Sequence, residues 1–202
     1  MEWNEMADDE RIERTAAALR KRGIETSIAG TGDEAREKVL GMIPEGAEVM
    51  NLTSITLEQT GIAKEIMESG RYKSLRKMIM SVSDDSERHA LRKSSTNPEY
   101  GIGSANAVTE DGQVVFASAS GSQIPVYSYG ATNVIWVVGT QKIVKDLDEA
   151  MKRINEYVLP LESERVKKAY GLPGSSVNKV LIIEKEKPGR LRMVLVKEKL
   201  GF

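Results

Sequence analysis

The stretch Asn133-Val134-Ile135-Trp136-Val137-Val138 is apolar along almost its whole length, and it decides the fold class. Strands that are covered by helices on both faces contain unbroken apolar runs, whereas a strand with one wet face alternates apolar and polar residues. We therefore expect this segment to be a central strand of a parallel sheet.

Helices and strands alternate on the N-terminal side of this strand. The spacing of apolar residues and the capping and turn residues predict, in chain order, a helix over residues 8–22, a strand over 24–29, a helix through 35–42 that Thr31 or Asp33 caps, a strand over 47–52 and a helix over about 56–69. Residues 71–100 are polar and rich in charge, and they predict one helix near 85–93.

The C-terminal half continues the pattern. A strand over residues 113–117 follows the turn Glu110-Asp111-Gly112, a helix is predicted over 146–157, and strands over 179–183 and 190–197 lie close enough in sequence to form an antiparallel hairpin at the edge of the sheet. The whole pattern predicts an α/β fold, a three-layer αβα sandwich with a mostly parallel sheet and an N-terminal helical extension. We expect residues 1–202 to form a single domain.

Composition excludes several function classes. The 202 residues include no cysteine and one histidine, His89, so disulfides, thiolate metal sites, cysteine-ligated iron–sulfur clusters and multi-histidine sites are excluded within one chain. The 29 Lys and Arg residues nearly cancel the 30 Asp and Glu residues, which argues against nucleic acid or an anionic membrane as a partner. Neither a Walker A motif nor GxGxxG occurs, so no cofactor and no metal are expected.

The sequence also predicts a cytoplasmic protein. Its first residues, MEWNEMADDERIER, are acidic where a signal peptide is basic and then apolar, and no apolar run approaches the ~18 residues of a membrane span.

Three loops at predicted strand ends share small hydroxyl residues, glycine and asparagine. The candidate ligand-binding residues in them are Thr53, Ser54, Gly103, Ser104, Asn106, Ser120, Gly121, Ser122 and Gln123. Such loops present free N–H groups at helix N-termini, which favour phosphate or carboxylate. The alternative is that small residues only permit tight turns and close packing. Ligands of α/β folds gather at the carboxyl ends of strands, so we expect the loops to share one cavity.

Four charged residues lie near these loops. Lys142 follows the apolar strand and is expected at the rim of the cavity as a cation for an anionic ligand, or else as a solvated loop lysine. Glu58 and Glu110 are the candidate catalytic carboxylates. For Glu58 the alternative is a structural role, since a carboxylate in the first turn of a helix is favoured by the helix dipole alone. For Glu110 the alternative is a place in a plain hairpin turn. For Asp111 the turn is the favoured interpretation.

The sequence resembles the LUD domain family, named for lactate utilisation. The blocks that carry the resemblance are ALRKRGIE, IPEGAEVMNLTSITLEQTGI, GSANAVTEDGQVVFASASGSQ, NVIWVVGTQKIVKDLDEAMKRI, PLESERVKKAYG and PGRLRMVLVKEKLGF, and among them NAVTEDG and VVGTQKIV are specific for the family. The resemblance implies a fold like that of the ribose-5-phosphate isomerase, glucosamine-6-phosphate deaminase and CoA transferase superfamily.

The resemblance also carries an expectation about partners. Family members are linked to the oxidation of lactate to pyruvate as one component of a system whose redox centres lie mainly on partner proteins. Some members carry a cysteine cluster near the C-terminus, where this chain has residues 170–178 without cysteine.

Two functions follow from these observations. The first is an accessory or regulatory component of organic-acid utilisation that binds a small anionic metabolite, with iron–sulfur oxidoreductase subunits as partners. The second is a stand-alone sugar-phosphate isomerase or CoA transferase-like enzyme that uses Glu58 or Glu110. The sequence specifies neither the ligand nor the oligomeric state, and a homo-oligomer is one of the alternatives.

Overall fold

The computed structural model describes residues 3–202, with helices and strands alternating along most of the chain. The helices are α1 (Asp9–Lys21), α2 (Gly32–Gly41), α3 (Ile55–Gln59), α4 (Ile62–Glu68), α5 (Leu75–Ser81), α6 (Asp85–Ser94), α7 (Leu147–Arg153) and α8 (Leu159–Tyr170). The strands are β1 (Ile24–Ala29), β2 (Glu48–Asn51), β3 (Lys73–Ser74), β4 (Tyr100–Gly103), β5 (Ala107–Thr109), β6 (Val114–Ser118), β7 (Asn133–Gly139), β8 (Ile143–Val144), β9 (Lys179–Ile183) and β10 (Leu191–Val196).

The first helices begin and end where their capping residues predict. Asp8 caps α1 by accepting a hydrogen bond from the Arg11 N–H at 2.8 Å, and Gly23 follows the helix with a φ of 82°. Thr31, one of the two predicted caps, accepts from the Glu34 N–H at the start of α2. The predicted N-terminal helix is thus present.

The main sheet has six strands in the order β1-β10-β7-β4-β2-β3, and every pair in it is parallel. Strand β7 lies near the middle, between β10 and β4, and Val134 to Val138 are fully buried. The apolar run at 133–138 therefore forms the central parallel strand that it predicts.

Different elements cover the two faces of the main sheet. On one face Ile135 and Val137 pack against helices α2, α3 and α4. On the other face Trp136 and Val138 pack against α1, α5 and a second, smaller sheet. The predicted α/β class, with a mostly parallel sheet flanked by helices, is confirmed.

The second sheet has the order β8-β5-β6-β9. Strands β5 and β6 form a hairpin around Glu110-Asp111-Gly112, as predicted, and helix α7 covers the far face of the sheet. Strand β9 pairs antiparallel with β6, and β10 lies in the main sheet, parallel to β1 and β7. The predicted hairpin of the last two strands is therefore wrong.

Burial explains why the last two strands separate. Residues of β10 are buried on both faces, as in a central parallel strand, whereas β9 is largely exposed. The seven residues between them, which include Lys187-Pro188-Gly189, connect one sheet to the other instead of forming a hairpin turn.

Two predicted helices differ in extent. The helix expected over 56–69 is broken at Gly61, whose φ of 73° is left-handed and ends α3 before α4 begins. The helix expected over 146–157 continues through a π-helical turn at 154–158 into α8. Pro160 lies in the first turn of α8, where a missing N–H costs no hydrogen bond within that helix.

Over residues 3–202, none of the helices combines the length and the apolar character that a membrane crossing requires.

Candidate functional site

A cavity of about 800 Å³ opens at the carboxyl ends of four neighbouring strands. The segments that follow β2, β4, β7 and β10 all contribute to its wall, together with the loop after β6 and residues of α5, α6 and α8. This is the edge at which α/β folds bind ligands, and the volume suits a small or medium-sized organic molecule.

The segment after β2 brings hydroxyl groups to the cavity. Ser54 caps α3 by accepting a hydrogen bond from the Leu57 N–H, and Thr53 accepts one from Nη1 of Arg76 at 2.7 Å. Both residues line the cavity, as predicted. Arg76 of α5 is half-buried and forms no ion pair within residues 3–202, and its burial lowers the pKa of the guanidinium.

Lys142 also lines the cavity, but it is not at the rim. It lies in the turn after β7 and is only 2% exposed. Its Nζ donates to Thr56 Oγ1 and to Ser104 Oγ, each at 3.1 Å. Burial, and secondarily the charge of Arg153, lower the pKa of the amine to about 7. The interpretations as a rim cation and as a solvated loop lysine are both wrong, because β7 is central and the turn after it is covered.

Asn106 ties the loop after β4 to strand β6. Its Oδ1 accepts a hydrogen bond from the N–H of Ala117, which lies in β6, at 2.8 Å. Ser104, Asn106, Ser120, Ser122 and Gln123 all line the cavity, as predicted. The Gln123 side chain donates to the Thr53 carbonyl at 3.4 Å and so links the loop after β6 to the segment after β2. The three loops therefore do converge.

Two predicted glycines have structural roles instead. Gly121 has a φ of 80°, which a residue with a Cβ rarely adopts, and it shapes the loop without lining the cavity. Gly103 does not line the cavity either. A Cβ built there would overlap the hydroxyl of the buried Tyr127, so the packing of this ring requires glycine at position 103.

The role of Gly103 leads to a prediction. Gly103→Ala should reduce the free energy of unfolding by ~1–3 kcal/mol, because the new methyl group displaces a packed aromatic ring. Gly103→Ala combined with Tyr127→Phe should recover part of the loss in a denaturant melt. Gly41→Ala is the control, since no atom lies within 4 Å of a Cβ at that position. Equal stability of Gly103→Ala and wild type would contradict the packing described.

Neither candidate catalytic carboxylate lies in the cavity wall. Glu58 is exposed on α3. Glu110 accepts from Arg11 Nε at 2.7 Å and from Arg14 Nη2 at 2.8 Å, and these contacts tie the β5–β6 turn to α1. The arginines lower the pKa of Glu110 although partial burial opposes them. The structure thus does not bring either carboxylate to the loops.

The arginines of the cavity wall were not predicted from the sequence. The cationic side chains that line the cavity are Arg76, Arg88, Arg92, Lys142 and Arg165. Glu162 is the one carboxylate side chain among the lining residues, and it binds Arg165 through two contacts of 2.7 Å. Arg88 pairs with Asp85, whereas Arg76, Arg92 and Lys142 have no carboxylate within 4 Å in residues 3–202. The wall therefore carries excess positive charge.

One signal in the sequence pointed to part of this wall. Residues 71–80, RYKSLRKMIM, contain four basic residues and no acidic one, although the chain as a whole is nearly neutral. Arg92 and Arg165 lie in helices of mixed charge and give no such signal.

The arrangement suits an anionic ligand with further polar groups. Unpaired guanidinium and hydroxyl groups bind carboxylate or phosphate oxygens. Asn51, the last residue of β2, is 1% exposed and lines the cavity, and its Oδ1 has no hydrogen-bond partner within residues 3–202. No three His, Asp or Glu side chains of these residues come together as metal ligands.

Comparison with solved structures supports the fold. The chain is similar to a DUF162 family protein from Deinococcus radiodurans, whose crystal structure superposes with a TM-score of 0.59 at 10% sequence identity. The alignment covers 95% of this chain and 99% of that chain. At 10% sequence identity, this structural similarity is evidence for the fold alone. No curated protein matches the chain.

The family itself is shown by the sequence profile. The profile of the LUD domain matches residues 12–196, which is most of the chain. The protein therefore belongs to the LUD domain family, which is linked to lactate utilisation.

Proposed function

We propose that residues 1–202 act as one LUD domain that binds a small anionic metabolite, a carboxylate or a phosphate, in the cavity at the strand ends. One observation carries the proposal: the half-buried guanidinium of Arg76 faces the cavity and has the Thr53 hydroxyl, but no carboxylate of residues 3–202, as its partner. A buried charge without a counter-charge is unfavourable in free energy. An anion that binds in the cavity therefore stabilises the charged guanidinium of Arg76.

The rest of the wall supports the same ligand class. Thr53, Ser54, Ser104, Asn106, Ser120, Ser122 and Gln123 offer hydroxyl and amide groups around the cationic side chains. Lys142 is a second cation without a carboxylate partner among residues 3–202. Its Nζ donates a hydrogen bond to Thr56, three residues after Thr53. Glu58 and Glu110 lie outside the wall, so the alternative enzyme lacks the two carboxylates that it was expected to use.

The family link supports a role in organic-acid utilisation as an accessory or regulatory component. In this role the redox chemistry belongs to iron–sulfur oxidoreductase partners, because this chain contains no cysteine to hold such a cluster. A gene for such a subunit beside the gene for this protein supports the role, and an isolated gene argues against it.

A thermal-shift screen with inorganic phosphate, short carboxylates and CoA esters tests the binding. An anion that binds only the native state raises the melting temperature of the wild type in proportion to RT ln(1 + [L]/Kd). Arg76→Gln should weaken the binding about 10- to 100-fold, because a hydrogen bond to a charged group contributes ~1.5–3 kcal/mol.

Two further variants sharpen the test. Arg71→Gln is the matched control, since Arg71 pairs with Glu45 outside the cavity wall and its loss should leave the affinity unchanged. Ser122→Asp places a like charge at the loop after β6 and should abolish anion binding, with a stability change of only ~0.5 kcal/mol. Anions that shift wild type, Arg76→Gln and Ser122→Asp equally would locate the binding site elsewhere.

A further inference from the structure

Lys142 is an unusual lysine for a structural position. It is 2% exposed and lines the cavity, and its Nζ has two hydroxyl groups and no carboxylate as partners among residues 3–202. Buried lysines in proteins are almost always paired with an acid, because an unpaired ammonium loses its hydration without compensation. The ammonium form of Lys142 is therefore unfavourable in the folded protein.

The neutral form of the amine is well populated near neutral pH. Burial lowers the pKa of Lys142 to about 7, and the guanidinium of Arg153, itself fully buried, acts in the same direction. An exposed lysine is almost entirely protonated at this pH, and a protonated amine has no lone pair to donate. Desolvation beside another cation is how lysine nucleophiles are activated.

We infer that Lys142 is a nucleophile whose Nζ adds to an aldehyde or ketone group of the bound anion and forms an imine. This inference rests on the proposed function, because the anion is held by Arg76 while its carbonyl group meets the amine. The ligand class is thereby narrowed to anions that also carry a carbonyl group, such as 2-oxo carboxylates or oxo phosphates.

The two cationic groups contact the same short segment of chain. Arg76 donates to Thr53 and Lys142 donates to Thr56, and both hydroxyls lie on the same short segment after β2. Three residues of chain span at most about 11 Å, so both cations border one region of the cavity. The Cα of Gly201 lies on the same side, where a Cβ would approach Lys142 Nζ to 3.1 Å and Thr56 Oγ1 more closely still. Glycine at position 201 therefore lets the C-terminal segment pack closely against Lys142 and Thr56.

The chemistry needs no other reactant. The nitrogen lone pair forms the C–N bond, the π electrons of the carbonyl move to its oxygen, and a proton passes from nitrogen to that oxygen to give a carbinolamine. Loss of the hydroxyl group with the second nitrogen proton then forms the C=N bond and releases one water molecule. Thr56 and Ser104, which contact Nζ, hold the amine in place during the addition.

Reductive trapping tests the inference. Wild-type protein is incubated with pyruvate or with glyceraldehyde 3-phosphate and then treated with cyanoborohydride, which reduces an imine to a stable secondary amine. Intact mass should rise by the mass of pyruvic acid less one oxygen atom, and peptide mapping should place the adduct on Lys142. Lactate and glycerol 3-phosphate, which lack the carbonyl group, should give no adduct and should compete with the reactive probes.

Variants separate Lys142 from other lysines. Lys142→Arg should remove the site-specific adduct, whereas Lys145→Arg, at an exposed position three residues further on, should retain it. Equal labelling of Lys142 and exposed lysines overturns the inference. Absence of an adduct while phosphate and pyruvate still raise the melting temperature overturns the inference alone, and absence of any anion binding overturns the proposed function as well.

A second measurement, the pH dependence of the trapping rate, tests whether Arg153 acts as a positioning residue that lowers the pKa of Lys142. The charged group that acts on Lys142 is Arg153 of α7, and the groups in contact with Nζ are the uncharged hydroxyls of Thr56 and Ser104. The trapping rate of wild type should rise with pH through about 7 and then level off. In Arg153→Met the midpoint should move to higher pH, whereas Arg153→Lys should keep it near the wild-type value. An unchanged midpoint in Arg153→Met contradicts this role.

Discussion

Replacement of Lys142 by methionine is expected to stabilise the protein at pH 7, and the gain should shrink as the pH rises. The amine is buried without a carboxylate, so its protonation in the native state is unfavourable. Methionine is of similar length and carries no charge. The variant loses two hydrogen bonds to hydroxyls, but Thr56 Oγ1 keeps its own hydrogen bond to the Leu200 carbonyl.

The pH dependence has a definite sign. The native pKa is about 7, whereas the unfolded chain has the ordinary lysine value of 10.5, so between these values the unfolded state binds more protons. Stability of the wild type relative to Lys142→Met therefore rises from pH 7 to pH 10.5 and is constant below about pH 6. Linkage at 1.36 kcal/mol per unit gives a change of about 2 kcal/mol between pH 7 and pH 9.

Urea melts of both proteins at several pH values measure this difference. Lys145→Met is the matched control, since that lysine is exposed and its loss should give a stability difference that does not vary with pH. If the free energies of unfolding of wild type and Lys142→Met vary with pH in parallel, Lys142 is solvated in the native state.

Ile135→Ala should reduce the free energy of unfolding by ~2–5 kcal/mol. Ile135 is fully buried in the middle of β7, with neighbouring strands on both sides and the α2–α4 layer above it. Removal of its side chain leaves a cavity that the surrounding strands and helices fill only in part. Denaturant melts measure the loss.

Two comparisons test the location of Ile135 in the sheet. Ile135→Val should cost only ~0.5–1.5 kcal/mol, because it removes one methylene group. Ile182→Ala on β9, where the side chain is 38% exposed, should cost clearly less than Ile135→Ala. A loss below about 1 kcal/mol for Ile135→Ala would mean that β7 is an edge strand.

Local sequence signals predicted much of this fold. The run at 133–138 predicted the central strand because burial on both faces requires continuous apolar residues. Leu191-Arg192-Met193-Val194-Leu195-Val196 is apolar apart from Arg192 and also forms a central strand, but its closeness in sequence to the preceding strand favoured the prediction of a hairpin. Closeness in sequence does not determine pairing, because the seven-residue connection is long enough to reach another sheet.

The hydroxyl-rich loops of the candidate site were predictable for a different reason. The carboxyl ends of parallel strands lie at one edge, so the small polar residues after Asn51 and Gly103 are brought together by topology alone. The third predicted loop, residues 118–123, follows β6 of the second sheet, and this argument does not place it. The arginines were not predictable in this way. Arg92 and Arg165 are 73 residues apart in sequence and reach the cavity from helices whose placement the loops do not determine.

The position of β10 between β1 and β7 constrains how the protein is made. During synthesis on the ribosome, β1 emerges early. Strand β10 pairs with β1 and with β7, and neither pair can form before residues 191–196 have been made. Until then β1 has no partner in the main sheet, since β10 is its one neighbour there within residues 3–202. A nascent chain halted before residue 191 therefore exposes two open strand edges, which bind chaperones or other chains. The main sheet is complete only after residues 191–196 have left the ribosome.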